Sequence, residues 1–390
     1  MAGTEELPRR VVYLELMDSL LDADGGVGRA GYRLSRDFPW FFEEEWEIER
    51  WGLRRSGPRQ SQHDVRGLTF PFPAFPRVLL PVVVWATQFV QSLLRPRAGI
   101  YIAYDPIKGT GAAAARFLRR SSPVLVVRFI SDFSARAGLL YGKRLESRVL
   151  RVLERFVLAR ADIVLPIGPH TRKLALEAGV LEERIVELPN TVRWFEMKPP
   201  PVARESPPRV AAAGRLAPEK GFDVLIAAFA EIAEPFPDVM LDIAGDGPER
   251  LNLENLATSL GIADRVRFPG WLDTQSMLGL YGGALVFVLP SRINEGFPTV
   301  LLEAALARCA LVGTDVGGIR DIVHPDRTGI VIPPNDPDAL ARALRTLLQD
   351  PEHATRLGEA AWTEARYGLE HRAEAVQRVR EQVNALRRAG

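Results

Sequence analysis

Short runs of apolar, often β-branched residues alternate with longer stretches of helical hydrophobic spacing, and this pattern repeats in both halves of the chain. The alternation is typical of successive β-α units, in which parallel strands form a sheet and helices cover it. A length of 390 residues exceeds that of one ordinary domain. The sequence therefore predicts an α/β protein with two Rossmann-like domains.

The candidate strands divide into two sets. In the first half we expect strands over residues 11–17, 100–103, 124–130, 163–167 and 184–188. In the second half we expect them over residues 209–213, 239–244, 266–268, 285–289, 310–313 and 329–332. Prolines at 199–201 and 207–208 separate the sets, and such a density suits neither a helix nor a central strand. The predicted organisation is a first domain over 1–198, a linker over 199–208, a second domain over 209–368 and a final helix over 369–390.

The composition is that of an ordinary globular protein, with 47% apolar and 25% charged residues. A single cysteine, Cys309, excludes an internal disulfide, and no N-terminal segment has the pattern of a secretory signal. We therefore expect a cytoplasmic protein. The apolar stretch 78–94 falls short of the roughly 20 residues of a membrane span and is interrupted by Pro81, which favours a buried or interfacial helix.

The net charge of +1 hides an asymmetry between the halves. Residues 1–205 carry 31 Lys and Arg against 24 Asp and Glu, whereas the remainder carries 19 against 25. One predicted helix of the basic half concentrates cations among apolar residues: Lys143, Arg144, Arg148, Arg151, Arg155 and Arg160. Two interpretations stay open, a solvated helix face or contact with an anionic membrane surface or a phosphate-bearing acceptor. No nucleic-acid partner is expected.

The loop after strand 209–213 reads GRLAPEKG and leads into a predicted helix. A helix N-terminus carries partial positive charge, so Arg215 and Lys220 are poorly placed there unless an anion lies between them and the backbone N–H groups. A phosphate or diphosphate is one such anion. Alternatively, both side chains point into water while Glu219 offsets one of them.

Glycines begin two of the loops that follow strands of the second half, Gly214 in GRLAPEKG and Gly245 in GDGPE. Glycine lets the backbone approach a ligand closely or turn tightly. In GDGPE, an ordinary strand-to-helix turn explains the sequence equally well.

The segment after strand 285–289 carries the strongest signal, because Glu295 lies just before a helix that Pro298 is expected to open and Glu303 lies on that helix. The neighbours of Glu303 at helical spacing are mostly apolar, so its carboxylate needs a partner. Ribose hydroxyl groups would serve. Glu295 lies in the loop before the helix, where an acid can meet a sugar while the helix N-terminus faces phosphate. The simpler alternatives are an ion pair for Glu303 and a first-turn acid for Glu295.

Six motifs follow one another in the second half: GRLAPEKG, IAGDGPE, FPGWL, LPSRINEGFPTVLLEAAL, TDVGGIRDIV and TGIVIPPNDPDALARAL. In this order and spacing they closely resemble the C-terminal half of the family-4 retaining glycosyltransferases, which have the GT-B fold. The resemblance implies two Rossmann-like parallel-sheet domains that face each other across a cleft. It also implies that the final helix crosses back to the N-terminal domain.

The resemblance assigns roles to individual residues of the second half. Glu295 would contact the donor sugar near the reaction centre, and Glu303 would bind the donor ribose. Arg215 and Lys220 would hold the donor diphosphate. Backbone N–H groups for phosphate or sugar would come from the loop that contains Gly296, Phe297 and Pro298.

The first half resembles the same family less tightly. The resemblance places the glycine-rich loop with Gly25 and Gly26, after the first strand, near the donor phosphate and the acceptor. The stretch 161–192 resembles the part of the family that precedes the interdomain linker. Asp22 and Asp24 precede the glycine loop and are not interpreted as a metal site. The resemblance implies neither an obligatory metal nor a cofactor.

One position departs from the family pattern. Many relatives carry a histidine after the strand that corresponds to 124–130, whereas this chain has Ser131 and Asp132 there. None of the five histidines occupies that position. Asp132 is the expected substitute on the acceptor side.

The implied function is the transfer of a hexose, with retention of configuration, from a nucleotide-diphosphate sugar to a hydroxyl acceptor. The basic first half favours a lipid-linked or phosphate-bearing acceptor in cell-surface polysaccharide or glycolipid synthesis, with peripheral contact at the inner face of the membrane. Two alternatives stay open, a non-catalytic nucleotide-sugar-binding scaffold and an epimerase or phosphorylase of the same fold. A dehydrogenase is disfavoured because no Gly-x-Gly-x-x-Gly follows the first strand of either half.

Overall fold

The computed structural model of the chain describes residues 10–17, 38, 47–53, 99–117, 123–130, 144–190, 207–293 and 295–389. They form two compact units. The first unit comprises the chain up to Leu188 together with the segment from Arg372 onward. The second unit runs from Pro189 to His371. The expected domain boundary at residue 198 and most of the expected linker lie outside the described residues.

The first unit contains a parallel sheet of five strands: β1 (Arg10–Met17), β2 (Glu47–Leu53), β3 (Ile100–Tyr104), β4 (Val124–Phe129) and β5 (Ile163–Pro166). Their order in the sheet is β2-β1-β3-β4-β5. Strand β2 is absent from the predicted strands because its sequence, EIERWGL, mixes charged with apolar residues, as a strand at the edge of a sheet can.

The predicted strand over 184–188 is wrong, because a 3₁₀ turn over Glu182–Arg184 precedes it and only Ile185 forms a bridge to β5. The backbone still runs beside β5, since the N–H of Leu188 donates to the carbonyl oxygen of Pro166 at 2.8 Å. This segment extends the sheet edge without forming a regular strand.

Among the described residues that precede the second unit, three helices accompany this sheet: α1 (Thr110–Phe117), α2 (Arg144–Arg160) and α3 (Pro169–Glu177). Strand β3 is buried along its whole length, with Tyr101 and Ala103 in one apolar cluster and Ile100 and Ile102 in another. A strand that is covered on both faces needs apolar residues at every position, which explains the uninterrupted sequence IYIAY.

The second unit contains a parallel sheet of six strands: β6 (Arg209–Ala213), β7 (Met240–Ala244), β8 (Val266–Gly270), β9 (Ala284–Leu289), β10 (Ala310–Thr314) and β11 (Gly329–Ile332). All six were predicted, with ends that differ by at most two residues. The order is β11-β10-β9-β6-β7-β8. The chain therefore builds the sheet from β6 towards β8 and then returns to the opposite side of β6 to add β9.

The remaining helices are α4 (Phe222–Ala233), α5 (Arg250–Ser259), α6 (Thr274–Gly283), α7 (Thr299–Leu306), α8 (Pro337–Gln349), α9 (Pro351–Glu370) and α10 (Arg372–Ala389). Asp273, Asp336 and Asp350 cap α6, α8 and α9, each accepting a 2.8 Å hydrogen bond from the backbone N–H three residues later. Helices α4 and α8 contribute to one apolar cluster of the sheet, and α6, α7 and α9 contribute to the other.

Helix α10 starts at Arg372 rather than at residue 369, because α9 continues to Glu370. Its buried residues Ala375, Val379 and Val383 recur at helical spacing and belong to the same apolar cluster as residues of β3, β4 and β5. The last helix of the chain thus completes the core of the first unit.

None of the helices in the described part of the chain combines the length and the hydropathy that a membrane span requires. The stretch 78–94 lies outside the described residues.

Candidate active site

The second unit has a topological switch point between β6 and β9, where two neighbouring strands are followed by loops that leave the same edge of the sheet. In open parallel sheets, such a point is where ligands bind. Gly221 has a φ of 68°, and a Cβ atom there would lie 2.2 Å from the carbonyl oxygen of Pro290. Glycine at this position therefore allows the loops after β6 and β9 to touch.

Lys220 and Glu295 meet where these loops touch. The Lys220 Nζ lies 2.5 Å from Oε1 of Glu295, and the Ser291 hydroxyl donates to the same oxygen at 2.6 Å. The Lys220 and Glu295 side chains are 19% and 15% exposed, and Ser291 is fully buried. The Glu295 carbonyl oxygen also accepts a 2.7 Å hydrogen bond from the N–H of Gly318 in the loop after β10. The carboxylate is thus fixed within a polar site that is largely shielded from water.

Arg215 pairs with Glu219, the acid of the β6 loop. Its guanidinium lies 2.5 Å from a carboxylate oxygen of Glu219, with Arg215 61% exposed and Glu219 only 9% exposed. Arg215 and Lys220 were expected to need a nearby anion. The carboxylates of Glu219 and Glu295 supply it. Because Arg215 is mostly exposed, its guanidinium also has a surface that an anionic ligand can approach.

Arg292 connects the loops after β6 and β9 by hydrogen bonds. It was not among the residues predicted from the sequence. Its guanidinium donates to the Asp223 carboxylate at 2.5 Å, to the Pro218 carbonyl at 2.8 Å and to the Asn335 side-chain oxygen at 2.5 Å. Its backbone N–H donates to the carbonyl of Glu219 at 2.9 Å. No local sequence pattern distinguishes this arginine from a solvated loop residue.

Gly214 and Gly245 bring the loops after β6 and β7 together. Gly245 has a φ of 129°, and a Cβ atom on it would lie 1.9 Å from the carbonyl oxygen of Gly214. The Gly214 N–H donates to the carbonyl of Ala244 at 3.0 Å. Close packing of the two loops is therefore sufficient to explain glycine at position 245.

The start of α7 differs slightly from the expectation. Pro298 is the N-cap residue and Thr299 is the first residue of the helix. Phe297 packs against the apolar cluster beneath, and the Gly296 carbonyl would lie 2.1 Å from a Cβ atom on Gly318. Asn294 lies outside the described residues.

Glu303 has a hydroxyl partner inside the protein. The Tyr281 phenol, on α6, donates a 2.7 Å hydrogen bond to Oε2 of Glu303, on α7. Tyr281 is fully buried, whereas Glu303 is half-buried. Burial raises the pKa of Tyr281 well above its usual value, and the negative charge of Glu303 raises it further. The sequence predicted that the Glu303 carboxylate needs a hydroxyl partner. The Tyr281 phenol supplies one such hydroxyl.

The first half supplied three candidate site residues and one basic helix. Gly25, Gly26 and Asp132 lie outside the described residues. The basic helix is α2, and its arginines Arg148, Arg151 and Arg155 are exposed, whereas Arg160 is half-buried over the ring of Phe156. Two of the apolar residues between these arginines are exposed, Val149 at 52% and Val152 at 67%.

Two family models match the chain. One, described as Glycosyl transferases group 1, matches residues 195–363. The other, described as Glycosyl transferase 4-like domain, matches residues 25–191.

Curated relatives with assigned names match part of the chain. The alpha-D-kanosaminyltransferase of Streptomyces kanamyceticus is 38% identical over 154 residues, 40% of this chain and 40% of that protein. The GDP-mannose-dependent alpha-(1-6)-phosphatidylinositol monomannoside mannosyltransferase of Mycolicibacterium smegmatis is 32% identical over 215 residues, 51% of this chain and 56% of that protein. The chain thus spans about half the length of the curated relatives it matches.

Solved structures share the fold along nearly the whole chain. A sucrose-phosphate synthase from Thermosynechococcus elongatus has a TM-score of 0.75 at 21% identity, covering 97% of this chain and 99% of that chain. Anabaena HepE in complex with UDP has a TM-score of 0.70 at 18% identity, covering 96% of this chain and 100% of that chain. These similarities confirm the predicted α/β fold with two parallel-sheet domains.

Proposed function

Because this chain belongs to the GT-B glycosyltransferases of the family-4 type, we propose that it is a retaining glycosyltransferase. It moves a hexose from a nucleotide-diphosphate sugar to a hydroxyl acceptor. The observation that supports this most strongly is the contact between Lys220 and Glu295 at the switch point of the second sheet. A cation for phosphate and a carboxylate for sugar lie side by side where a ligand of that fold would bind.

In the proposed reaction, the acceptor oxygen bonds to the anomeric carbon on the face from which the diphosphate oxygen departs. The bond between the anomeric carbon and that oxygen breaks, and the acceptor proton passes to the leaving phosphate. Negative charge grows on the diphosphate, and fixed positive groups stabilise it. These groups would be the side chains of Lys220 and Arg215 and the N-termini of α4 and α7.

Glu295 would position the hexose and offset positive charge that develops at the sugar ring. Its carboxylate is suited to this role because Ser291 and Lys220 both hold Oε1, so its orientation is set before the donor arrives. Glu303 would accept hydrogen bonds from the ribose hydroxyls. Backbone N–H groups near Gly214, Gly245 and Phe297 would face the phosphates or the sugar.

The substrates are proposed from the names of the relatives. One relative is named as GDP-mannose-dependent and acts on a phosphatidylinositol mannoside, and HepE was solved with UDP and with UDP-glucose. We therefore propose a UDP- or GDP-hexose donor and an acceptor in polysaccharide or glycolipid synthesis. The reaction as proposed needs no metal and no cofactor.

An anionic membrane surface would be the second partner, bound through α2. Arg148, Arg151 and Arg155 are exposed there together with Val149 and Val152. Exposed apolar residues between arginines suit the interface of a bilayer with anionic lipids.

The test is incubation of the protein with UDP- and GDP-hexoses, with release of the nucleotide diphosphate and the fate of the sugar both measured. Slow hydrolysis of one donor by the wild type, lost in Glu295→Ala, supports a transferase. Binding without hydrolysis supports the scaffold alternative. Conversion of the donor into another nucleotide sugar supports an epimerase.

A further inference from the structure

Tyr281 and Glu303 form a contact between two helices that flank the proposed donor site. The Tyr281 hydroxyl donates to Oε2 of Glu303 at 2.7 Å. Tyr281 has no exposed surface, while Glu303 is half-buried on the first turns of α7. One oxygen of the carboxylate is therefore held from inside the protein, while the side chain still reaches the surface.

The direction of this hydrogen bond is fixed. Burial raises the pKa of the Tyr281 phenol well above its usual value, with Glu303 as the next cause. The phenol therefore keeps its proton at physiological pH and acts as a donor to the carboxylate. A hydrogen bond to an ionised acceptor is stronger than a neutral one, and it orients the carboxylate as well as holding it.

The tyrosine itself is firmly placed. Its ring lies 5.4 Å from the ring of Phe287 on β9, with an angle of 58° between the ring planes. Its carbonyl oxygen accepts a hydrogen bond of 3.2 Å from the buried thiol of Cys309. One contact is with β9 and the other with the buried residue that precedes β10, so the position of the Tyr281 hydroxyl relative to Glu303 is fixed by the core.

We propose that Tyr281 is a positioning residue for donor recognition, which orients Glu303 so that its carboxylate selects ribose-containing nucleotides by their hydroxyl groups. This inference rests on the proposed function, because it takes the ribose role of Glu303 as given. Tyr281 does not touch the donor. It acts by removing the freedom of Glu303 to rotate, so less ordering is required when the ribose binds.

The test measures ribose preference, defined as the Kd of a 2′,3′-dideoxynucleotide divided by the Kd of the ribonucleotide. Calorimetric titrations use UDP, GDP and their 2′,3′-dideoxy forms. The variants are Tyr281→Phe, which removes only the hydroxyl, Glu303→Gln and the double variant. Tyr101→Phe is the matched control, because Tyr101 is a buried tyrosine on β3 of the first unit.

We expect Tyr281→Phe to lower the ribose preference about tenfold, equivalent to about 1.4 kcal/mol, with little change in the Kd of the dideoxynucleotide. Glu303→Gln lowers it at least as far, and the double variant lowers it no further than Glu303→Gln alone. Tyr101→Phe leaves the preference at the wild-type value. A purely structural role of Tyr281 would instead weaken both nucleotides equally, and that result overturns the inference.

The remaining outcomes separate this inference from the proposed function. If Glu303→Gln removes the ribose preference and Tyr281→Phe keeps it, the positioning role is wrong and the proposed function stands. If the wild type binds neither UDP nor GDP, both fail. If Tyr281→Phe does not fold, Glu303→Asp takes its place in the test. The shorter side chain retains the charge but withdraws the carboxylate from the Tyr281 hydroxyl. An unchanged ribose preference in Glu303→Asp overturns the positioning role.

Discussion

The ammonium nitrogen of Lys220 lies 2.5 Å from Oε1 of Glu295, and this contact joins the loops that follow β6 and β9. The two residues are 75 positions apart in the chain. Because both side chains are mostly buried, removal of one partner alone would leave the other charge unpaired and poorly solvated, so the pair links the stability of the second unit to the chemistry proposed for it.

Replacing Lys220 by Met should lower both stability and turnover. The Glu295 carboxylate would lose a charged donor in a poorly solvated site, at a cost of about 1 to 3 kcal/mol in the free energy of unfolding. The control is the double variant Lys220→Met and Glu295→Gln, which removes both charges. Urea denaturation should show that the double variant recovers part of the lost stability, while donor hydrolysis stays low. Recovery of turnover would contradict the proposed roles.

Arg215→Gln should separate binding from stability. Arg215 is 61% exposed but its partner Glu219 is only 9% exposed, so loss of the charged donor should cost about 1 kcal/mol in the free energy of unfolding and shift the urea midpoint only slightly. The glutamine can still donate to Glu219, but the charge proposed to hold the diphosphate is lost. We expect kcat/KM for the donor to fall about tenfold or more, or about 1.4 kcal/mol in transition-state stabilisation. Unchanged kcat/KM would exclude Arg215 from the diphosphate site.

Arg292→Lys should disturb the site, although it preserves the charge. A lysine cannot reproduce the planar fork that reaches Asp223, Pro218 and Asn335 together. We expect a several-fold rise in KM for the donor and a stability loss of about 1 to 3 kcal/mol, measured by steady-state kinetics and urea denaturation. The matched control is Arg320→Lys, because Arg320 forms a more exposed pair with Asp315 and should tolerate the change.

Gly245→Ala should destabilise the second unit. The new Cβ atom would lie 1.9 Å from the Gly214 carbonyl, at a φ of 129° that side chains rarely adopt. We expect a loss of at least about 1 to 3 kcal/mol in the free energy of unfolding. Gly279→Ala on α6 is the control, since a Cβ atom there meets nothing within 4 Å and helix propensity should make it neutral or stabilising. A Gly245→Ala variant as stable as Gly279→Ala would contradict the close approach of the loops.

Charge reversal on α2 should weaken binding to anionic vesicles. The double variant Arg148→Glu and Arg151→Glu replaces two exposed cations on the helix face that also exposes Val149 and Val152. Each basic residue near such a surface contributes about 1 kcal/mol, so co-sedimentation with phosphatidylserine vesicles should fall strongly. The control for net charge is a second double variant, which carries Arg342→Glu and Arg345→Glu on α8. Equal binding of both double variants and the wild type would argue against the membrane proposal.

The sheet of the second unit could be predicted because its strands are mostly buried on both faces and read as unbroken apolar runs. Strand β9, with sequence ALVFVL, is an example. Strand β2 could not be predicted, because an edge strand such as EIERWGL carries charges where a central strand cannot. The 3₁₀ turn that displaces the predicted strand over 184–188 likewise has no hydrophobic pattern of its own.

The candidate site could be predicted only in part. Lys220 and Glu295 were each placed in ligand-binding loops, but their pairing depends on strand order, which local sequence does not contain. The need of Glu303 for a partner followed from its apolar helix face, whereas Tyr281 could not be named. Tyr281 lies on another helix, in a run of small and apolar residues that only indicates burial.

The central proposal is a retaining hexosyl transfer, and the anomeric configuration of the transferred sugar tests it most directly. The wild type is incubated with α-linked UDP-glucose or GDP-mannose and a hydroxyl acceptor, and proton NMR follows the anomeric signal of the first product. We predict an α-linked product, formed at least about tenfold more slowly by Glu295→Ala. A β-linked first product, or transfer at the wild-type rate by Glu295→Ala, would contradict the proposed mechanism.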